Sequence, residues 1–155
     1  MTVSLLTTLP NPAWLALRQA LWPDASADEH LQEMAEQLAA PVRYGPFIAM
    51  AADDMPLGLA EVALRTDYVN GTESSPVAFL EGLYVEPAAR RRGVARALLQ
   101  AVVAWARAQG CRELASDTAL DNHVGQAVHS GLGFRETERV VYFQMDLAPS
   151  PSDGR

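Results

Sequence analysis

The segment Leu83-Tyr84-Val85-Glu86-Pro87-Ala88-Ala89-Arg90-Arg91-Arg92-Gly93-Val94-Ala95-Arg96 carries the clearest chemical signal in the chain. An apolar run leads into a basic turn, and the turn opens a helical pattern. The first N–H groups of a helix have no partner within it, and they form the positive end of the helix dipole. An anion such as a phosphate can sit there. Gly93 and Ala95 keep bulk away from that backbone. Arg90, Arg91, Arg92 and Arg96 are unfavourable at a helix start on their own, so their clustering points to a compensating anion. The other reading of such a cluster is a solvated face. The spacing is neither the mononucleotide Gly-Lys-Ser/Thr loop nor the dinucleotide Gly-x-Gly-x-x-Gly.

Carboxylates form the second set. Glu81 interrupts the apolar run Val77–Val85, where an unpaired carboxylate is costly. It is either a hydrogen-bond partner of a neighbouring strand or a proton acceptor at a sheet opening. Asp117 ends a short strand pattern, where ligand crevices form in α/β sheets, and otherwise caps the turn Thr118–Asp121. From its residues alone Glu138 reads as a cross-strand charge with Arg139. On the same basis Trp22 reads as a core anchor at a helix end. Cys111 is the only cysteine, which excludes an intrachain disulfide and a cysteine-rich zinc site. It precedes a core strand with no histidine near it in sequence and is a poor nucleophile.

These residues need a scaffold. Asn11-Pro12 predicts a helix to Leu21, ended by Trp22-Pro23. Ser26-Ala27-Asp28-Glu29 is a capping box for a helix closed by Pro41. Phe47–Ala51, Leu57–Leu64 and Val77–Val85 read as strands, and Gly82 marks a bulge or a close approach. Asn70-Gly71 signals a turn. Val94, Leu98, Val102 and Trp105 share one face of a helix from Gly93 to Gln109. Glu113–Ser116 reads as a strand and Asn122–Ser130 as a helix. Phe134–Glu138 and Val140–Leu147 read as two final strands. The sum is an α/β fold with a mixed sheet flanked by helices.

The chain has 155 residues, which predicts a single domain over 1–147 and a frayed tail over 148–155. Its net charge of −7 argues against sequence-independent nucleic-acid binding and favours cationic partners. The first residues lack a basic region and a long apolar run, so neither a signal peptide nor a membrane span is expected, and the expected compartment is the reducing cytoplasm.

Arg90 to Ala95 matches the pattern Arg/Gln-x-x-Gly-x-Gly/Ala and so resembles the acyl-CoA pyrophosphate loop of the GNAT superfamily of N-acetyltransferases. Asn122 and Gly133-Phe134 resemble that superfamily's second CoA-side motif. Further blocks are similar to the bacterial aminoglycoside 6′-N-acetyltransferases. They are Leu21-Trp22-Pro23, Asp67-Tyr68-Val69-Asn70-Gly71, Ser74-Ser75-Pro76, Phe79-Leu80-Glu81-Gly82, Gly110-Cys111-Arg112-Glu113, Ala115-Ser116-Asp117-Thr118 and Glu136-Thr137-Glu138-Arg139-Val140.

The resemblance implies a splayed central sheet that admits acetyl-CoA as co-substrate, with no metal. It implies that the backbone of Leu83, Tyr84 and Val85 holds the pantetheine arm and polarises the thioester carbonyl. The loop from Arg90 to Arg96 then takes the phosphates, with Asn122 and His129 on the CoA side. Trp22, Tyr68, Glu81, Asp117 and Glu138 line the aminoglycoside site, with Glu81 or Asp117 as base. His129 stands where many superfamily members carry a tyrosine acid for the leaving thiolate; it either serves that role or is an inert helix residue. A homodimer is expected by resemblance and from the apolar last strand, which offers an edge. Two rival readings remain: a GNAT enzyme for another small amine or a protein N-terminus, and a catalytically silent CoA-binding module.

Overall fold

The computed structural model describes residues 1–148. Strand β1 (Thr2–Leu5) is followed by helices α1 (Pro12–Leu21) and α2 (Ala27–Ala39). Strands β2 (Tyr44–Met50), β3 (Pro56–Arg65) and β4 (Val77–Val85) come next. A 3₁₀ turn at Pro87–Ala89 leads into α3 (Val94–Ala108), then β5 (Leu114–Ser116) and α4 (His123–Gly131). The five strands form one sheet in the order β1-β2-β3-β4-β5, antiparallel except for the β4–β5 pair.

Local chemistry sets the helix ends. Asn11 Oδ1 accepts from Trp14 N–H at 3.0 Å, with Pro12 at the first helical position. Ser26 and Glu29 exchange both bonds of the capping box, at 3.1 and 2.7 Å. Alternation along the strands feeds two cores. Phe47, Ala49, Ala60 and Val62 meet the α3 stripe of Val94, Leu98, Val102 and Ala106. On the opposite face Ile48 and Leu59 pack with Trp14, Leu17 and Met34 from α1 and α2. Leu98 and Val102 are fully buried, each worth about 1.5–3 kcal/mol in transfer free energy. Ala106 completes the stripe. Trp105, expected there, is half-buried and packs its indole on Gly45.

Three differences from the sequence reading have physical causes. Strand β1 was not expected, because four residues with one half-buried side chain give almost no alternation to read. The strands expected at Phe134–Glu138 and Val140–Leu147 do not form within this chain. Val140–Phe143 is apolar and Phe143–Leu147 alternates, but among the described residues no strand pairs with either segment, and a lone extended segment has no ladder to complete. Tyr142, Phe143 and Met145 stand 84%, 94% and 81% exposed as a result. Third, Arg139 binds Glu136 at 2.5 Å, so the alternative reading of Glu138 as a cross-strand charge with Arg139 does not hold. Of the tail expected over 148–155, residues 149–155 lie outside the described residues.

Candidate active site

The sheet opens between β4 and β5. Their parallel ladder runs through Ala78↔Leu114, Phe79↔Ala115 and Leu80↔Ser116, and stops there. β4 continues through Glu81–Val85 with a paired strand on its β3 side only. Burial follows this geometry: Val77–Leu80 are buried, and Glu81–Val85 are exposed or half-buried. The edge of β4 away from β3 is therefore unpaired from Glu81 onward, and the alternation of the ladder turns the main-chain groups of Leu83 and Val85, not those of Tyr84, toward it; Arg90 already takes the Val85 carbonyl.

The strand leads to the basic loop. Gly93 caps α3 at φ 82°, and a Cβ built there meets nothing within 4 Å. Arg91 also adopts a positive φ of 62°. Such a conformation costs a non-glycine residue about 1–2 kcal/mol. Arg90 folds back, donating from Nε to the Val85 carbonyl at 3.0 Å, with its guanidinium 5.9 Å from the Tyr84 ring. Arg91, Arg92 and Arg96 are exposed. Val94 is 3% exposed and packs in the core with Leu98 and Val102. Ala95 is half-buried behind it. The loop fits a polyanion on observation: an open helix start, a glycine cap without steric obstruction, and guanidinium groups in solvent.

A carboxylate follows the last rung on each diverging strand, Glu81 after Leu80 and Asp117 after Ser116. Glu81 is the extra residue of a β-bulge, since Val62 pairs with Leu80 and Glu61 with Gly82. Its oxygens accept from Arg65 Nη2 at 2.9 and 3.1 Å, and the Arg65 guanidinium stacks 3.6 Å from the Phe79 ring centroid. Glu81 thus has the neighbouring-strand partner that one reading expected, and it stands exposed beside the opening. Asp117 is exposed.

Asp117, His129 and Glu138 share a cleft of about 540 Å³, which Asn70, Ser116 and Phe134 also line. Glu81, Trp22 and Tyr68 do not line it. Tyr68 is 74% exposed on the loop before β4. Trp22 lies instead against the bulge, its indole beside Gly82. Asn122 caps α4 through its Oδ1, which accepts from Gly125 N–H at 2.9 Å. His129 is held from both sides, with Nδ1 2.7 Å from the Gly125 carbonyl and Nε2 2.8 Å from Ser116 Oγ. A carbonyl only accepts, so Nδ1 carries a proton. Phe134 meets the ring edge-on at 5.3 Å. Cys111 is buried, and burial pushes its thiol pKa up, against a weaker opposing effect from the Ala78 backbone. That disfavours the thiolate.

Arg65, Ser116 and the buried Glu61 escaped the sequence reading. Glu61, a lone carboxylate in the apolar run Leu57–Leu64, is the same kind of signal as Glu81 and was available. Arg65 and Ser116 needed the strand register, which sequence spacing does not supply.

Phosphate-binding capacity at one end of a sheet opening and carboxylates at its crotch give the polarity that transfer from coenzyme A to a cationic amine requires. These features define the coenzyme A-dependent N-acyltransferase class. Within it, the chain belongs to the acetyltransferase (GNAT) family, whose model matches residues 12–134. It is 54% identical over 149 residues to an aminoglycoside N(6')-acetyltransferase type 1 of Stenotrophomonas maltophilia, covering 96% of this chain and 95% of that protein. Its identity to the Serratia marcescens protein of the same name is 55% over 135 residues, 87% of this chain and 92% of the relative. The fold also matches AAC(6')-Iy, solved in complex with the bisubstrate analogue CoA-S-monomethyl-acetylneamine. The TM-score is 0.88 at 45% identity, over 94% of this chain and 97% of that one.

Proposed function

We propose that this protein transfers the acetyl group of acetyl-CoA to the 6′-amine of aminoglycoside antibiotics by direct attack, and so confers resistance to them. The observation that carries the reading is the fork: a carboxylate follows the last β4–β5 rung on each strand, below a helix start bearing arginines. The relatives named above carry the 6′-acetyltransferase name over nearly their whole length.

In this reading the open edge of β4 at Leu83 and Val85 binds the pantetheine arm, and an N–H there stabilises the carbonyl oxygen as it gains charge. The phosphates lie at Arg90–Arg96, with Asn122 and His129 on the same side. Glu81 or Asp117 takes the proton from the attacking ammonium, directly or through water. The free amine attacks the thioester carbon, the C–N bond forms, the C–S bond breaks, and CoA leaves as the thiol once protonated. Trp22, Tyr68 and Glu138 complete the acceptor site. Proximity and orientation supply much of the rate, since both substrates are held across one opening.

We place the activity in the cytoplasm, where acetyl-CoA is available; no helix among the described residues is long and apolar enough to cross a membrane. We infer a homodimer as well. The exposed apolar segment Val140–Met145 has no strand partner among the described residues, and a second copy is a partner that would cover it.

The test is CoA thiol release from acetyl-CoA with tobramycin, with a 6′-hydroxyl aminoglycoside and with no acceptor. Release with tobramycin alone, weakened in Asp117→Ala, is expected. Binding of acetyl-CoA without release above background would refute the assignment and favour a silent CoA-binding module.

A further inference from the structure

Four polar side chains lie in the core between α1, α2 and β3: Arg18, His30, Gln37 and Glu61, at 1%, 0%, 8% and 4% exposure. Glu61 Oε1 accepts from Trp14 Nε1 at 2.7 Å. Its Oε2 accepts from Arg18 Nη1 at 2.5 Å and from Gln37 Nε2 at 2.9 Å. Arg18 reaches out to Glu33 through Nη2 and donates from Nε to His30 Nδ1 at 3.2 Å. An arginine only donates, so His30 Nδ1 must hold a lone pair and the ring proton sits on Nε2. That proton points at the Trp22 carbonyl, 3.1 Å away.

Stability alone is a weak reason to keep such a network. Well-packed apolar residues often replace buried ion pairs at no cost. What distinguishes this one is where its ends lie. Glu61 stands opposite Gly82 in the β3–β4 register, at the bulge that projects Glu81. At the other end Trp22 is fixed from three directions. His30 holds its carbonyl, the Arg18 guanidinium lies 4.8 Å from its ring centroid, and its ring edge meets Gly82.

We propose that Arg18, His30 and Glu61 are positioning residues for the acceptor pocket, holding Trp22 against the bulge that carries Glu81. This rests on the reading above that Trp22 and Glu81 line the acceptor site. Neither arginine nor imidazole touches substrate; each acts through Trp22. The network therefore sets acceptor affinity and leaves acetyl-CoA affinity alone.

Two substitutions at one residue separate positioning from bulk stability. His30→Asn presents an acceptor where Nδ1 was and loses the donor to Trp22. His30→Gln presents a donor where Nε2 was and loses the acceptor for Arg18. Each loses one buried hydrogen bond, so both melt at lower temperature by similar amounts. The positioning role predicts that only His30→Asn raises the acceptor KM, by about fivefold for one hydrogen bond, with the KM for acetyl-CoA unchanged. His30→Gln keeps the wild-type value, because it retains the bond to the Trp22 carbonyl and Arg18 stays anchored by Glu61 and Glu33.

Protein labelled with 5-fluorotryptophan gives a readout independent of turnover. The Trp22 resonance, assigned with Trp22→Phe, shifts or broadens in His30→Asn and keeps its wild-type position in His30→Gln. Equal behaviour of the two variants in KM and in this resonance overturns the proposal. If wild type fails to acetylate tobramycin, the acceptor assignment falls, and the Trp22 resonance still decides whether the network holds the indole. Should His30→Asn fail to fold, the wild-type imidazole decides. Nitrogen NMR showing the His30 proton on Nε2 supports the relay to Trp22, and a proton on Nδ1 overturns it.

Discussion

Placing alanine at Gly82 adds one methyl group at the tightest point beside the fork. A Cβ built there lies 2.5 Å from Trp22 Cζ2, 2.6 Å from Cη2 and 2.8 Å from Leu21 Cδ2. Gly82 does not have a positive φ, so alanine carries no backbone strain and the whole effect is steric. Ordinary carbon contact begins near ~3.5 Å, so the indole or β4 must move by roughly 1 Å. Overpacking of this kind costs about 1–3 kcal/mol. For a chain this long that lowers Tm by roughly 2–12 °C. Trp22 also faces the acceptor in the proposed function, and a ~1 Å misplacement can cost up to ~100-fold in rate. The assay is a thermal melt beside steady-state kinetics with each substrate varied in turn. The expected result is a lowered Tm, a kcat/KM for tobramycin reduced by at least tenfold, and an acetyl-CoA KM near wild type. Trp22→Leu removes the colliding ring atoms. In a double-mutant cycle, Gly82→Ala should therefore cost less stability in that background than in wild type. A Gly82→Ala protein with unchanged Tm and unchanged acceptor kinetics would refute the packing of Trp22 on the bulge.

Other perturbations probe separate parts of the account. Gly93→Ala meets open space but forces alanine into φ 82°, so a loss of about 1–2 kcal/mol and a raised acetyl-CoA KM are expected, with the acceptor KM unchanged. Arg65→Met removes the internal cation from Glu81; the pair is half-exposed and worth about 0.2–1 kcal/mol, so the tobramycin KM should fall by roughly 1.5–5-fold in low salt. A rise instead would mean that Arg65 holds Glu81 in its working position. The Ser74 hydroxyl, and then the Glu73 backbone N–H, hold the Glu113 carboxyl below the usual glutamate range. A depressed folded-state pKa gives a contribution that is complete above the ordinary glutamate value and is lost as pH falls through the lowered one. Wild type should therefore melt above Ser74→Ala at neutral pH, and the difference should close in acid below about pH 4.

Much of the fold was legible because its signals are local. The Asn11-Pro12 and Ser26–Glu29 caps name their partners within one helical turn, and both form as read. The glycine in Val77–Val85 correctly marked a bulge, since a residue without a side chain is what Trp22 and Leu21 tolerate there. Failures came where the outcome depends on a partner distant in sequence. Val140–Leu147 is apolar enough to read as a strand, yet composition says nothing about whether a neighbour exists, and the described residues provide none. In the candidate site, the residue types of Glu81, Asp117 and His129 were readable, but their attachments were not. Arg65 reaches Glu81 and Ser116 reaches His129 only through strand register and helix packing.

The central claim is acetyl transfer to one particular nitrogen, and the most direct measurement is the structure of the product. Tobramycin should be incubated with acetyl-CoA and catalytic enzyme, and the monoacetylated product mapped by two-dimensional NMR. The account predicts an amide at N6′, formed with one equivalent of CoA thiol and strongly reduced in Asp117→Ala. An amide at any other amine, or thiol release without an acetylated aminoglycoside, would contradict it.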